Sequence, residues 1–259
     1  MADVQHVESS DGTPIAYRVV GEGDPIVFVH GVATSGADWL FVQPHLRERF
    51  AVVTMDRRGR GASGDGPGYE LAREADDVLA VMDAVGAELL VGHSYGGLCS
   101  ILAAERASDR LRRLVIYEPS IAVRADRASA LQELVDRGEI ETALAQFLRG
   151  AGTPPDQLEV IRSSPAWPVL LDAVPVLPRE LFAASEWRNP SGPIPVPTLY
   201  VLGGDTTARA YLDGLDELLA AFPDLRRDEL PGQTHIGHVF AAERFAELVA
   251  GFCADGGGA

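Results

Sequence analysis

The chain contains few cysteines and few positive charges. Its two cysteines, Cys99 and Cys253, indicate neither a disulfide framework nor a cysteine-based metal cluster, and we expect a reducing, cytoplasmic location. Its 22 Lys and Arg residues stand against 38 Asp and Glu residues, which gives a formal net charge of −16. Because such a chain repels phosphate groups, the charge argues against nucleic acid or an anionic membrane surface as a partner.

Long hydrophobic runs are also missing. No apolar stretch approaches the roughly 18 residues that a membrane-spanning helix needs. Residues 1–4 do not combine basic and apolar character as the start of a secretory signal does. We therefore expect neither a membrane span nor secretion by a signal peptide.

Short apolar runs alternate with segments of helical spacing along most of the chain. The runs 25–29 and 51–55 are typical of buried parallel strands, and residues 69–85 have the spacing of a helix. The same patterns predict single helices over 37–49 and 207–222. Together with an N-terminal hairpin, they predict an α/β fold: a mostly parallel sheet of eight strands, flanked by helices.

Residues 119–193 interrupt this alternation. They contain helical spacing and frequent prolines but no convincing strand. We predict a helical cap, or lid, inserted into a core domain formed by residues 1–118 and 194–259. The alternative is a set of helices packed on the flank of the sheet. The predicted cap helices are 125–137, 139–150, 155–164 and 178–187.

The motif Gly92-His93-Ser94-Tyr95-Gly96 points most directly to chemistry. It follows the apolar run 89–91 and leads into a helical segment, 98–106. This strand–turn–helix context is the one that a nucleophile elbow requires. The turn holds the serine in a strained conformation, and glycines on either side allow chain segments to pass closely. Ser94 is therefore the predicted nucleophile.

A serine hydroxyl needs a base to remove its proton, and the base needs a carboxylate to orient it. His235 is the best candidate for the base, because its loop follows the last predicted strand and returns to the carboxyl edge of the sheet. His238 is expected to cap or pack, and His93 to be structural. Glu118 and Asp205 each end a predicted strand at that edge, so both are candidates for the carboxylate.

The negative charge that develops on the attacked carbonyl oxygen needs two backbone N–H donors. We expect one from Tyr95, directly after the nucleophile. The second is expected from Val32 in the loop after strand 25–29, with Ala33 as the alternative. His30 in the same loop is expected to hydrogen-bond that loop.

Together these motifs resemble the α/β-hydrolase superfamily, in its cap-bearing serine hydrolase form. The resemblance covers nearly the whole chain outside the cap and the termini, and it includes the stretches 56–63, 197–205 and 231–235. In such relatives the acid usually lies three residues after the glycine that ends the strand following the cap. Counted from Gly203, that position is Thr206, and Asp205 comes one residue early. Certain haloalkane dehalogenases instead place the acid where Glu118 lies, and we favour Glu118 slightly.

The resemblance implies hydrolysis of a small ester, lactone or thioester through an acyl-enzyme, with no cofactor and no metal. Relatives that cleave epoxides or carbon–halogen bonds use aspartate as the nucleophile, so Ser94 argues against that chemistry. The same residues also serve acyltransferases, lyases, cyclases, perhydrolases and enzymes that hydrolyse C–C bonds. A small-molecule receptor on this fold is the alternative from another class. The expected partner is a small-molecule substrate, and the protein is expected to be a monomer or homodimer. The predicted substrate-binding residues are His30, Gly31, Phe147 and Trp167.

Overall fold

An eight-stranded sheet forms the centre of the chain. The structure is a computed structural model that describes residues 2–66 and 68–254, so Met1, Pro67 and residues 255–259 of the predicted core lie outside the described residues. The strands are β1 (Gln5–Glu8), β2 (Pro14–Val20), β3 (Asp24–Val29), β4 (Phe50–Met55), β5 (Leu89–His93), β6 (Arg113–Tyr117), β7 (Thr198–Gly203) and β8 (Leu225–Leu230).

The spatial order of the strands is β1-β2-β4-β3-β5-β6-β7-β8. β2 is antiparallel to both of its neighbours, whereas every pairing from β4 to β8 is parallel. The carboxyl ends of β3, β5, β6, β7 and β8 therefore meet at one edge. The predicted α/β fold with a mostly parallel eight-stranded sheet is confirmed.

Helices cover both faces of the sheet, which explains why the central strands are apolar on both sides. All five residues of β5 are buried. β8, at the edge, carries charged residues at exposed positions, which protects an open edge from pairing with other chains. The helices outside the β6–β7 connection are α1 (Gln43–Leu46), α2 (Leu71–Val85), α3 (Tyr95–Arg106), α9 (Arg209–Leu212), α10 (Leu215–Leu219), α11 (Gly237–Phe240) and α12 (Ala242–Ala254).

Alternate residues of the strands feed two apolar cores. On one face, α2 and α3 pack against residues such as Val27 and Leu90. On the other face, α1 and α12 pack against Phe28 and Leu89, which are next in the chain to Val27 and Leu90. None of the described helices is long and apolar enough to cross a membrane.

The connection between β6 and β7 is helical throughout its regular structure. α4 packs against α8, and α8 also contacts α2 of the core. α4, α5, α6 and α8 agree with the predicted segments, whereas α7 was not predicted. The helices are α4 (Ala125–Asp136), α5 (Ile140–Gly150), α6 (Pro155–Arg162), α7 (Ala166–Asp172) and α8 (Leu177–Ser185).

Two helices that periodicity predicted as continuous are interrupted. The segment 37–49 contains a 3-10 turn, Gly36–Trp39, followed by α1, which has Pro44 in its first turn. Proline can begin a helix but cannot supply an N–H within one. The segment 207–222 divides into α9 and α10 at Gly214, whose φ of 78° is incompatible with a continuous helix. Periodicity reports which side of a segment is apolar, and it does not detect such breaks.

A buried ionic cluster joins the loop after β4 to α2 and α8. Arg57 binds Glu74 of α2 through two hydrogen bonds, Nε–Oε2 at 2.6 Å and Nη2–Oε1 at 2.9 Å. The carboxylate of Glu180 in α8 accepts from both Arg57 and Arg60. All four side chains are at most 3% exposed. Because each buried charge depends on its partners, this cluster couples α8 to the core.

Candidate active site

Ser94 lies at the sharp turn between β5 and α3. Its φ of 56° and ψ of −121° are strained for a residue with a side chain. A Cβ at position 92 would lie 2.6 Å from the carbonyl oxygen of Gly96, and a Cβ at position 96 would lie 2.5 Å from that of His30. Real Cβ atoms do not tolerate such distances, so this turn requires both glycines.

His235 lies in the loop between β8 and α11, with its Nδ1 2.8 Å from Oε2 of Glu118. Glu118 follows β6 directly and is fully buried. Its other oxygen, Oε1, accepts from the Gly203 N–H at 2.7 Å and the Thr206 hydroxyl at 2.6 Å. A carboxylate only accepts hydrogen bonds, so Nδ1 of His235 carries the proton. When the ring is neutral, Nε2 is then left with a lone pair, as a general base requires.

Asp205, the alternative acid, is exposed, and its backbone N–H donates to the carbonyl of Gln233 at 2.9 Å. Among the described residues its side chain forms no hydrogen bond or ion pair with His235. Thr206, the position at which the resemblance implies an acid, instead donates its hydroxyl to Glu118. The structure therefore brings Glu118, and not Asp205, to the predicted base.

The imidazole of His235 is held on both faces. The ring of Tyr211 stacks on it, with the ring centres 3.8 Å apart and the planes 10° from parallel. The ring of His93 lies on another side at 4.5 Å, and its Nε2–H donates to the backbone carbonyl of His235 at 2.9 Å. Burial, with the neighbouring His238 and His235, lowers the pKa of His93 well below its ordinary value. His93 is therefore a neutral, positioning neighbour.

His238 forms a small polar cluster with Asp38 and His93 behind this ring. Its Nε2 lies 3.0 Å from Oδ2 of Asp38, and Nδ1 of His93 lies 3.9 Å from the same oxygen. Burial acts to raise the pKa of Asp38, but the charge and hydrogen bond of His238 outweigh it and lower that pKa. One ligand atom from each residue lies within 4.8 Å of the others, so these three side chains could hold a metal ion. The expectation of a metal-free site stays a prediction.

The two predicted oxyanion donors lie on either side of Ser94. Gly31 packs so closely that an added Cβ would be 3.0 Å from Cβ of Ser94, and the next residue, Val32, lines the cavity beside the serine. Tyr95 is the first residue of α3. Within the described part of the chain, neither the Val32 N–H nor the Tyr95 N–H has a hydrogen-bond partner. Both donors are thus free to bind an oxyanion.

His30 is buried beneath this loop and does not reach the cavity. Its Nδ1 donates to the carbonyl oxygen of Gly31 at 2.7 Å, and its Nε2 accepts from the N–H of Arg57 at 3.0 Å. Burial, followed by the charge of Arg57, lowers the pKa of His30 to about 4. His30 therefore organises its own loop, and neither His30 nor Gly31 is among the residues that line the cavity, whereas Val32 is.

A cavity opens beside Ser94 beneath the helices of the β6–β7 connection. Phe147 lines it as predicted, whereas Trp167 lies elsewhere, with Arg162 placed 6.0 Å above its ring. Oγ of Ser94 lies 2.9 Å from Oγ of Ser120, which lines the same space. Sequence reasoning missed three polar lining residues, because no motif or spacing marks them. These are Ser120, Arg127 and Tyr211.

The fold and site together define a class of protein. A serine stands at a sharp strand–helix turn on the carboxyl edge of a mostly parallel sheet, and a carboxylate and then a histidine follow it along the chain. This order of Ser, Glu and His is that of α/β-hydrolases. A model of the alpha/beta hydrolase family matches residues 26–248. The chain belongs to this family.

Comparison with individual proteins agrees with this assignment. The chain is 30% identical over 162 residues to 2-(acetamidomethylene)succinate hydrolase of Mesorhizobium japonicum, which is 59% of this chain and 58% of that protein. The matches to the first curated relatives span between 39% and 58% of those proteins' length.

Solved structures match over almost the whole chain. An α/β hydrolase from Sphaerobacter thermophilus is similar with a TM-score of 0.80 and 33% identity, over 96% of this chain and all of that one. The enol-lactonase from Burkholderia xenovorans is similar with a TM-score of 0.78 and 26% identity, over 97% of this chain and 100% of that one. The named relatives are hydrolases.

Proposed function

We propose that the protein is a serine hydrolase that cleaves small carboxylic esters, lactones or thioesters through an acyl-enzyme. The observation that carries this proposal is the hydrogen bond between Nδ1 of His235 and Glu118, 2.8 Å long, at the edge of the sheet where Ser94 forms the elbow. The names of the relatives, a succinate-derivative hydrolase and an enol-lactonase among them, are consistent with acyl chemistry.

In the proposed reaction, Oγ of Ser94 attacks the substrate carbonyl carbon while Nε2 of His235 takes the serine proton. The N–H groups of Val32 and Tyr95 bind the oxyanion, each contributing about 3 kcal/mol by analogy with other oxyanion donors. His235 then gives its proton to the leaving group. A water molecule, activated by the same nitrogen, hydrolyses the acyl-enzyme, and Glu118 stabilises the imidazolium in both steps.

The hydroxyl of Ser94 shares a hydrogen bond with Ser120 in this structure, at 2.9 Å. The described residues include no hydrogen bond between Ser94 and His235. Catalytic hydrogen bonds are often loose without substrate and tighten in the complex. A small rotation of the Ser94 side chain toward Nε2 is therefore the first event of the proposed reaction.

We also propose that residues 119–193 act as the cap of a core formed by 1–118 and 194–259. α4, α5 and α8 contribute Arg127, Phe147 and Leu181 to the wall of the cavity. The space open to the centre of a water molecule is about 20 Å³, enough for about one water. An ester cannot enter that volume, so the cap helices move to admit one.

The test is the intact mass of the protein after incubation with a fluorophosphonate. We expect one adduct on the wild type and none on Ser94→Ala. Ser129→Ala, which changes an exposed serine of α4, is the control and should label like the wild type. Absence of an adduct on folded wild-type protein would contradict the proposal and favour a small-molecule receptor.

A further inference from the structure

Arg127 lies at the wall of the cavity that contains Ser94, and its side chain is unpaired among the described residues. It belongs to α4 and is half-buried. Its guanidinium forms no hydrogen bond or ion pair with any of the residues that the structure describes. The contrast is Arg124, at the start of the same helix, which is exposed and binds Asp126 with Nη2–Oδ2 at 2.6 Å.

The neighbouring helix leaves room for this guanidinium. A Cβ at Gly150, the last residue of α5, would lie 2.9 Å from Cζ of Arg127. The φ of Gly150 is not positive, so its backbone does not require glycine. In this structure the guanidinium therefore occupies space that a side chain at position 150 would take.

Arg127 is also close to the reacting atoms. Tyr211 lines the same cavity as Ser94 and Arg127. Burial and the charge of Glu118 raise the pKa of Tyr211, and the charge of Arg127 acts in the opposite direction. The guanidinium therefore lies within electrostatic reach of the tyrosine that stacks on His235 and lines the cavity beside Ser94.

An unpaired, half-buried cation is costly, because burial removes water that would otherwise solvate it. The chain has 38 acidic residues, yet none of those described pairs with Arg127. Much of the remaining wall is apolar, with Val123, Phe147 and Leu181 among its residues. The cavity thus offers one cation within an apolar lining.

We propose that Arg127 binds a carboxylate of the substrate, so that the preferred substrates are esters or lactones with a free carboxylate a short apolar spacer away from the scissile carbonyl. This inference rests on the proposed serine hydrolase function. The planar guanidinium matches a carboxylate through two parallel hydrogen bonds. The negative charge elsewhere on the protein acts against an anion at long range, but salt screens it beyond about 8 Å at physiological ionic strength.

The test compares two pairs of esters. Within each pair, one ester carries a free carboxylate and the other carries the same group blocked as an ethyl or methyl ester. Monoethyl and diethyl glutarate place the charge on the acyl side, and 4-(butanoyloxy)butanoate and its methyl ester place it on the alcohol side. Values of kcat/KM are measured by titration of released acid. We expect the wild type to prefer the anion of one pair by about 10- to 100-fold, the range for a hydrogen-bonded charge pair.

Arg127→Gln should abolish this preference, because it lowers kcat/KM for the anion far more than for the neutral ester. Arg127→Lys should keep part of the preference, because the charge remains without the planar fork. Arg124→Gln is the matched control and should behave like the wild type. An unchanged preference in Arg127→Gln, or no preference in the wild type, overturns the inference and leaves the serine hydrolase proposal intact.

Fluorophosphonate labelling keeps the two proposals separate if none of the four esters is cleaved. Glutarate should then slow labelling of Ser94 in the wild type and not in Arg127→Gln. Equal labelling rates with and without glutarate would refute the carboxylate site. Failure of Ser94 to label at all would refute the hydrolase proposal and, with it, this inference.

Discussion

Replacing Glu118 by Gln removes one negative charge and changes little else. Oε1 of Glu118 accepts from Gly203 and Thr206, and a Gln carbonyl oxygen can keep both hydrogen bonds. The amide nitrogen of Gln then faces Nδ1 of His235, where Oε2 lies at 2.8 Å. An amide nitrogen donates and cannot accept, so Nδ1 must lose its proton. The ring is forced into the tautomer with the proton on Nε2, which cannot act as a base.

The expected loss follows from that change of tautomer. Removing the orienting carboxylate of a Ser-His-acid site while keeping its shape lowers kcat by about 10⁴-fold, or about 5.5 kcal/mol of transition-state stabilisation. The assay is kcat for a neutral ester that the wild type hydrolyses, with circular dichroism to show that the variant is folded. KM should change little, because Glu118 is buried behind the imidazole.

Asp205→Asn is the matched control. Asp205 is exposed, and its side chain forms no hydrogen bond or ion pair with His235 among the described residues. We expect its kcat to stay within about twofold of the wild type, as for a surface substitution far from the reaction. Near-full activity in Glu118→Gln together with an inactive Asp205→Asn would refute the assignment of Glu118 as the acid.

Two further predictions concern stability. Glu180→Gln removes the negative charge that buried Arg57 and Arg60 share and turns an amide N–H donor toward one of them, so urea unfolding should show a loss of about 3 kcal/mol. The exposed control Glu186→Gln should change by less than about 0.5 kcal/mol, and equal values for both variants would contradict the role of the cluster. His30 has a folded pKa of about 4 against an ordinary value of 6.5, so between these values the unfolded chain binds a proton that the folded chain does not. The contribution of His30 to the free energy of unfolding is fully present above pH 6.5, and it falls by about 3 kcal/mol as the pH drops toward 4. The free energy of unfolding, measured with urea at each pH, should depend less steeply on pH in His30→Gln than in the exposed control His45→Gln. Identical pH dependence in the two variants would contradict the assignment.

Much of the fold could be predicted because it depends on local patterns. Apolar runs bounded by turn residues mark buried parallel strands wherever helices cover both faces of a sheet, and β3, β4 and β5 follow that rule. The breaks within 37–49 and 207–222 were not predicted, because a backbone angle at Gly214 or a proline in the first turn of α1 leaves the apolar period unchanged.

The elbow around Ser94 was also readable from the sequence. A side chain at Gly92 would clash with Gly96 and Ser100, which are close in the chain, whereas one at Gly96 would clash with the carbonyl oxygens of Val29 and His30 from a distant part of it. His235 was readable from its place after the last strand. Their predicted roles await the experiments above, but their positions follow from connectivity along one edge of a parallel sheet.

The sequence did not show whether Glu118 or Asp205 lies beside His235, because that depends on the tertiary structure. Both residues end strands at the same edge, and no spacing along the chain says which side chain turns toward His235. The packing brings Glu118 to His235 and supports it with hydrogen bonds from Thr206 and Gly203, whereas Asp205 is exposed. The role of Glu118 as the acid stays a prediction that Glu118→Gln and Asp205→Asn test.

The sequence by itself determined the order of the elements and the motif of the elbow, because apolar runs and turn residues are local features of the chain. Only the tertiary structure placed Ser120, Tyr211 and Arg127 around Ser94, since they come from separate elements that meet through packing. Substrate recognition depends on such long-range contacts. For that reason the sequence predicted the type of reaction but only some of the residues that line the substrate cavity.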